Sequence, residues 1–184
     1  MDLSGFVLAG GKSTRMGLDK ALLKWRDGTL LDHMVGLLRT VADPVMVVGR
    51  DSLPDRVPGL GPLSGIATGL ESSFTDANLF VAVDLPFLTH DFLKYLRSRI
   101  EGSSHPLIVC KIGSAFPLCV GAWRPMLPEI NRRLRSQERS IRSLVEGTGS
   151  EIILEAELID LGFDVSIFRN INTEEDYRAA LHES

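Results

Sequence analysis

From Gly5 to Ile100 the sequence alternates between short apolar runs and segments of helical period, and that alternation leaves few folds open. Gly5–Ala9, Val45–Gly49 and Asn78–Pro86 are nearly continuous apolar stretches, without the regular polar interleaving of a half-exposed strand. Such runs are read as strands buried on both faces, as in a parallel sheet covered by helices on each side. Between the first two, Leu30–Val41 carries apolar residues at 30, 31, 34, 35, 37, 38 and 41, a helical spacing, and Asp43-Pro44 ends it. Ser64–Ser73 reads as a second helix with Ser64 as N-cap, and Thr89–Ile100 as a third with Thr89 as N-cap. The expectation is a doubly wound α/β sheet.

The remainder is less regular. His105–Cys110 and Ala115–Trp123 read as strands joined by only Lys-Ile-Gly-Ser. That connection is too short for a crossover, so the two pair antiparallel and the sheet becomes mixed. Two helical pieces follow, at 128–137 and 140–147, then a late strand at 150–156. A last helix has Thr173 as N-cap and Glu174, Glu175 and Asp176 in its first turn, where acidic groups suit the helix dipole. No linker or repeat interrupts the 184 residues, so residues 1–184 are expected to form one domain.

Composition excludes some functions. A net charge of −4 lacks the basic bias of a nucleic-acid binder. No run approaches the roughly 18 apolar residues of a membrane span. The first residues show no basic region ahead of a long apolar stretch, so a cytoplasmic chain is expected. Cys110 and Cys119 sit in apolar stretches without a C-x-x-C and read as buried thiols. The histidines at 33, 90, 105 and 182 have no metal-ligand spacing.

In open α/β sheets, ligands bind beyond the carboxyl ends of the strands, and the unusual residues collect there. Val7–Leu23 reads VLAGGKSTRMGLDKALL. Its Gly11-Lys12-Ser13 suggests a P-loop, but the first glycine of that motif would fall at position 6, which is Phe6. The residues after Lys12 also continue as loop, with Gly17, where a P-loop runs into a helix. The G-x-G-x-x-G fingerprint is absent. What remains is a glycine-rich loop with three cations, Lys12, Arg15 and Lys20. Gly10 and Gly11 let backbone N–H groups approach a phosphate closely. Asp84 ends an apolar run, where core packing does not explain a carboxylate, and it suits a hard cation such as Mg²⁺.

The same residues carry a resemblance. LAGGKSTRMGLDK resembles the L-A-G-G-x-S-x-R-M-G-x-D-K signature of sugar-nucleotide and cofactor nucleotidyltransferases. GLGPLSGI (Gly59–Ile66), VDLPFL (Val83–Leu88), FPLCVGAW and FRNINTEEDYRAA are similar to segments of the molybdenum cofactor guanylyltransferase family, enzymes that attach GMP to molybdopterin. The similarity runs from Gly5 to about Ala180. It implies a three-layer α/β/α, Rossmann-like fold with a mixed, mostly parallel sheet of the nucleotide-diphospho-sugar transferase (GT-A-like) type.

The resemblance also implies roles. Arg15 goes to the triphosphate, Lys20 to the transferred phosphate and Asp84 to Mg²⁺. Leu8, Ala9, Gly10 and Gly11 offer backbone to the nucleotide, with Gly61, Pro62 and Leu63 nearby. Asp55 faces the guanine, with Asp51 as its rival. Asn170 and Asn172 face the pterin phosphate or the metal, or else form a structural pair at the last helix. Asp19 orients Lys20 or the loop, and Lys12 is peripheral. Arg132, Arg133, Arg135, Arg139 and Arg142 read as a solvated face, the alternative being a rim that attracts an anionic pterin or a partner protein. The implied partners are GTP, molybdopterin, and proteins that insert molybdenum or mature molybdoenzymes. Two other functions stay open: a cytidylyltransferase acting on molybdopterin or another small phosphate, and a nucleotide-binding protein without catalysis. The joint presence of Arg15, Lys20 and Asp84 speaks against the second.

Overall fold

The computed structural model describes residues 1–10, 19–50, 53–54 and 61–183. In chain order these form β1 (Leu3–Leu8), a small hairpin of β2 (Lys24–Trp25) and β3 (Gly28–Thr29), α1 (Leu30–Leu38), β4 (Val45–Val48), α2 (Pro62–Ser72), β5 (Ala77–Ala82) and α3 (His90–Gly102). There follow β6 (Leu107–Lys111), β7 (Cys119–Trp123), α4 (Leu127–Arg135), α5 (Ile141–Glu146), β8 (Ser150–Leu154), α6 (Glu155–Asp160) and α7 (Glu174–Glu183).

Among the described residues the main sheet has the order β4-β1-β5-β7-β6-β8. β1 is parallel to both β4 and β5, β7 runs antiparallel between β5 and β6, and β8 is parallel to β6. Two of the three apolar runs are central strands, as expected, and all six residues of β1 and of β5 are buried, whereas β4 forms an edge of the sheet and only its Val48 is buried. Alternate side chains serve opposite faces. Val7, Leu79, Val81, Ile108 and Ile153 point into one core with residues of α1, α3, α6 and α7. Phe6, Phe80, Val109 and Val120 point into a second core with α2, α4 and α5. Phe6 and Phe80 are register partners on β1 and β5, and their rings stack at 4.9 Å. The result is a three-layer α/β/α fold with a mixed, mostly parallel sheet.

Two expected caps are present. Thr89 Oγ1 accepts the Phe92 N–H at 3.2 Å, and Thr173 Oγ1 accepts the Asp176 N–H at 3.1 Å. Ser64, expected to cap α2, instead lies buried inside it. The helix starts at Pro62, which has no N–H to leave unsatisfied in a first turn, and Gly61 caps it at φ +76°. β5 stops at Ala82 rather than running to Pro86, because Val83 and Asp84 already form the turn at the site. The hairpin of β2 and β3, and α6, have no counterpart in the sequence-based expectation.

Candidate active site

Register brings the strand ends to one level: Leu8 pairs with Val48 on one side and with Ala82 on the other. The pairing continues one step beyond. Ala9 N–H donates to the Val48 carbonyl at 2.9 Å, and Val83 N–H donates to the Leu8 carbonyl at 3.1 Å. The ladder thus commits Leu8's carbonyl and Ala9's amide, and the exposed backbone of this stretch begins at Gly10. Gly49, at φ +87°, turns the chain after β4 hard against it. A Cβ on Gly49 would lie 2.2 Å from Gly10 Cα, so only glycine permits this approach.

Lys20 opens a single 3-10 turn, Lys20–Leu22, whose N-cap is Asp19. Asp19 Oδ1 accepts the Ala21 N–H at 3.1 Å. The same carboxylate receives both terminal nitrogens of Arg50, from the segment after β4. The Arg50 guanidinium holds the Asp19 carboxyl below its ordinary value. Asp19 therefore orients the Lys20 turn through backbone and ion pair, which answers how this aspartate serves the loop. Ala21, at the centre of the turn, is buried.

Asp84 stands two residues past the end of β5. Its backbone carbonyl accepts the Ile171 N–H at 2.9 Å, which lays the segment before α7 across the strand end. Lys20 Nζ sits 3.7 Å from Asp84 Oδ2 and donates to Asn172 Oδ1 at 3.0 Å. Three distant stretches thereby supply one ammonium, one carboxylate and one amide to a single point. Burial pushes the Asp84 carboxyl above the ordinary carboxylate value, and the Lys20 ammonium pulls it part of the way back. Asn170 lies on the same segment as Asn172 but is exposed and stands outside this cluster among the described residues.

Asp84 fits Mg²⁺ in one particular way. Among the described residues, no group of three or more His, Cys, Asp or Glu could cage a metal ion. A hard cation here would be held by the Asp84 carboxylate and complete its shell with water and substrate phosphate oxygens, the usual habit of Mg²⁺.

Gly61 and Pro62 border a cleft of about 540 Å³ together with Phe116, Leu118 and the segment 138–143. Leu63, the next residue, points into the second core and is fully buried, so its side chain serves packing. Arg142 lies over the Phe116 ring at 5.5 Å and donates to the Ser114 carbonyl. Four of the five arginines are exposed, as expected of a solvated face, and Arg133 departs from it. Arg132 and Arg135 are exposed, Arg139 and Arg142 line the cleft, and Arg133 is buried. Arg133 donates to Glu129, to Glu138 at 2.6 Å and to the Ser143 carbonyl at 2.6 Å, which pins the cleft wall. Gly11, Lys12, Arg15, Asp51 and Asp55 lie outside the described residues.

The model of the MobA-like NTP transferase domain matches residues 5–152 of the chain. The chain belongs to this family. A relative from Carboxydothermus hydrogenoformans, named as a probable molybdenum cofactor guanylyltransferase, is 31% identical over 98% of this chain and 95% of its own length. The molybdenum cofactor guanylyltransferase of Syntrophotalea carbinolica is 28% identical, covering 95% of this chain and 88% of its own. Molybdopterin-guanine dinucleotide biosynthesis protein A from Archaeoglobus fulgidus has a solved structure that superposes with a TM-score of 0.83. It is 21% identical and covers 98% of this chain and 97% of that one, so it establishes the shared fold.

In this MobA-like domain several supporting residues carry no sequence signal. Arg50 meets Asp19 across 31 positions, a separation with no periodicity to betray it. His33 Nε2 donates to the Pro86 carbonyl at 2.9 Å and braces the turn that carries Asp84, and burial pushes its imidazole down. Trp25, fully buried, packs edge-on against Phe87 at 5.6 Å. Tyr177 donates its hydroxyl to the Lys24 carbonyl at 2.6 Å, locking α7 to the β2–β3 hairpin. The nearest available hint was the Glu129–Arg133 spacing of four, which favours a helical ion pair.

Proposed function

We propose that the chain transfers GMP from GTP to the terminal phosphate of molybdopterin, with or without molybdenum already inserted, releasing pyrophosphate. One observation carries the reading. Lys20, Asp84 and Asn172 converge where β1 and β5 end, in a chain of the MobA-like family. The names of the relatives point to guanylyl transfer in the making of the molybdenum cofactor.

In the transfer, an acceptor phosphate oxygen attacks the α-phosphorus of GTP and forms a new P–O bond. The bond from the α-phosphorus to the bridging oxygen breaks, and its electron pair leaves with pyrophosphate. No covalent enzyme intermediate is needed, so the protein's work is alignment and charge neutralisation. Lys20 offsets charge at the transferred phosphate, and Arg15 does so along the triphosphate. Asp84 holds Mg²⁺, which supplies Lewis-acid polarisation of phosphoryl oxygens when bound. Gly10, with Ala9 and Leu8 behind it, presents backbone to the nucleotide, and Asp55 or Asp51 meets the base. Gly61 and Pro62 serve the nucleotide, and the far side of the cleft they border suits the acceptor, since it combines the Phe116 ring with the Arg139 and Arg142 side chains. Asn172 acts on the acceptor side of Lys20. The setting is the cytoplasm, with molybdenum-inserting and molybdoenzyme-maturing proteins as exchange partners. Among the described residues no helix is long and apolar enough to cross a membrane.

The test incubates the chain with Mg²⁺, molybdopterin and each NTP in turn, following pyrophosphate release and product mass. GTP is expected to support turnover with a product heavier by one GMP unit. Turnover with CTP and not GTP overturns the guanylyl reading. No turnover with any NTP overturns the enzymatic one. Lys20→Ala and Asp84→Ala are each expected to lower kcat by about 10²-fold or more.

A further inference from the structure

Lys20 and Asp84 face each other across 3.7 Å with side chains only 16% and 22% exposed. The pair is largely withdrawn from water, where salt screens a charge pair less than it does at the open surface. The ammonium is also held on its other side by Asn172 Oδ1. That amide is not loosely placed. The Asn172 N–H donates to Asp176 Oδ2 at 2.9 Å, and the preceding Ile171 N–H donates to the carbonyl of Asp84 itself. One segment therefore fixes both the carboxylate's turn and the amide, and the Asp84 and Asn172 oxygens form a built socket for the ammonium.

Those oxygens are the kind a divalent cation seeks, and the carboxylate is the charge that would draw it in. A carboxylate already neutralised by an ammonium loses most of that draw. We infer that in the nucleotide-free protein Lys20 is the resident counter-cation of Asp84 and keeps divalent metal out until a triphosphate draws the ammonium away. Metal loading is thereby coupled to nucleotide loading. The inference rests on Asp84 as the metal-holding carboxylate, and not on which nucleotide is transferred. The parts suit the motion: Asp19 and Arg50 fix the backbone of the Lys20 turn, while the lysine stem carries its charge on four flexible carbons.

The experiment measures Mn²⁺ binding to the full chain, by loss of the free-ion electron paramagnetic signal, with no nucleotide present. Lys20→Met is expected to bind Mn²⁺ roughly tenfold tighter than wild type, the effect of deleting one neighbouring like charge. Lys20→Gln serves as a second variant should the first fold poorly. The gain should vanish in the Lys20→Met/Asp84→Asn double variant. Adding a GTP analogue with a methylene between its α and β phosphates should tighten Mn²⁺ binding to wild type and erase the advantage of Lys20→Met. Equal or weaker Mn²⁺ binding by both Lys20 variants without nucleotide overturns the inference. So does a gain that survives the loss of Asp84. A failure of GTP to support turnover leaves these binding results standing, so the two readings fail separately.

Discussion

The carboxylate of Asp19 takes both terminal nitrogens of Arg50, and this pair joins the Lys20 turn to the end of β4. It is partly exposed, so its worth to global stability is about 0.5–1 kcal/mol. Its worth to alignment is larger. Arg50→Ala is expected to lower kcat by about 10²-fold, since a small displacement of a catalytic group has that effect. Arg50→Lys, which keeps the charge and loses the fork, should recover little. Steady-state kinetics beside a thermal melt separate the two contributions. A loss of activity no larger than the loss of folded protein counts against the role.

Asp84 makes a prediction about pH. Burial raises its carboxyl above 3.8, so between 3.8 and the raised value the folded state binds more protons than the unfolded. Stability then falls as pH rises through that window, opposite in sign to the contribution of Asp19, whose lowered value adds stability that is lost as acid protonates it. In the proposed transfer Asp84 acts as the carboxylate, so the acid limb of kcat/KM should lie above the ordinary carboxylate range. Lys20→Met removes the charge that favours ionisation and should move that limb further up. A pH–rate profile of each protein checks the order, and a limb that moves down contradicts it.

Gly49→Ala should damage the site from behind. The new methyl would fall against the Gly10 backbone, at a φ that L residues rarely adopt. The strain is of order 1–3 kcal/mol, and relief requires the β1 and β4 ends to part. Nucleotide affinity, measured by titration calorimetry, is expected to drop more than tenfold in protein that remains folded.

Arg133→Met should loosen the wall of the cleft. It removes hydrogen bonds to Glu129, Glu138 and the Ser143 carbonyl, at a cost of about 1–2 kcal/mol. KM for the acceptor should rise while KM for GTP changes little. Equal changes in both would assign Arg133 to general stability.

The fold was legible where one physical signal dominated. Continuous apolar runs at Gly5–Ala9 and Asn78–Pro86 announced central strands, and Lys-Ile-Gly-Ser allowed only an antiparallel return. Thr89 and Thr173 capped the helices they were expected to cap. The start of α2 is not legible locally, because Ser64 competes as a cap with the rarer combination of a positive-φ glycine and a first-turn proline. In the site, Lys20 and Asp84 were visible from loop chemistry and the end of an apolar run. Their supports were not. Arg50, His33 and Tyr177 act through pairings across 31, 53 and 153 positions, and nothing local in a sequence marks such partners. Arg133 looked like its exposed neighbours because burial of an arginine depends on carboxylates that reach it only after folding.

The hydrogen bond from Lys20 to Asn172 spans 152 positions. Contacts of such separation form late, after the loop between them has closed. A fragment that lacks either Lys20 or Asn172 lacks part of the ammonium socket. The socket needs residues from both ends of the chain, so a truncation before Asn172 removes one of its oxygens.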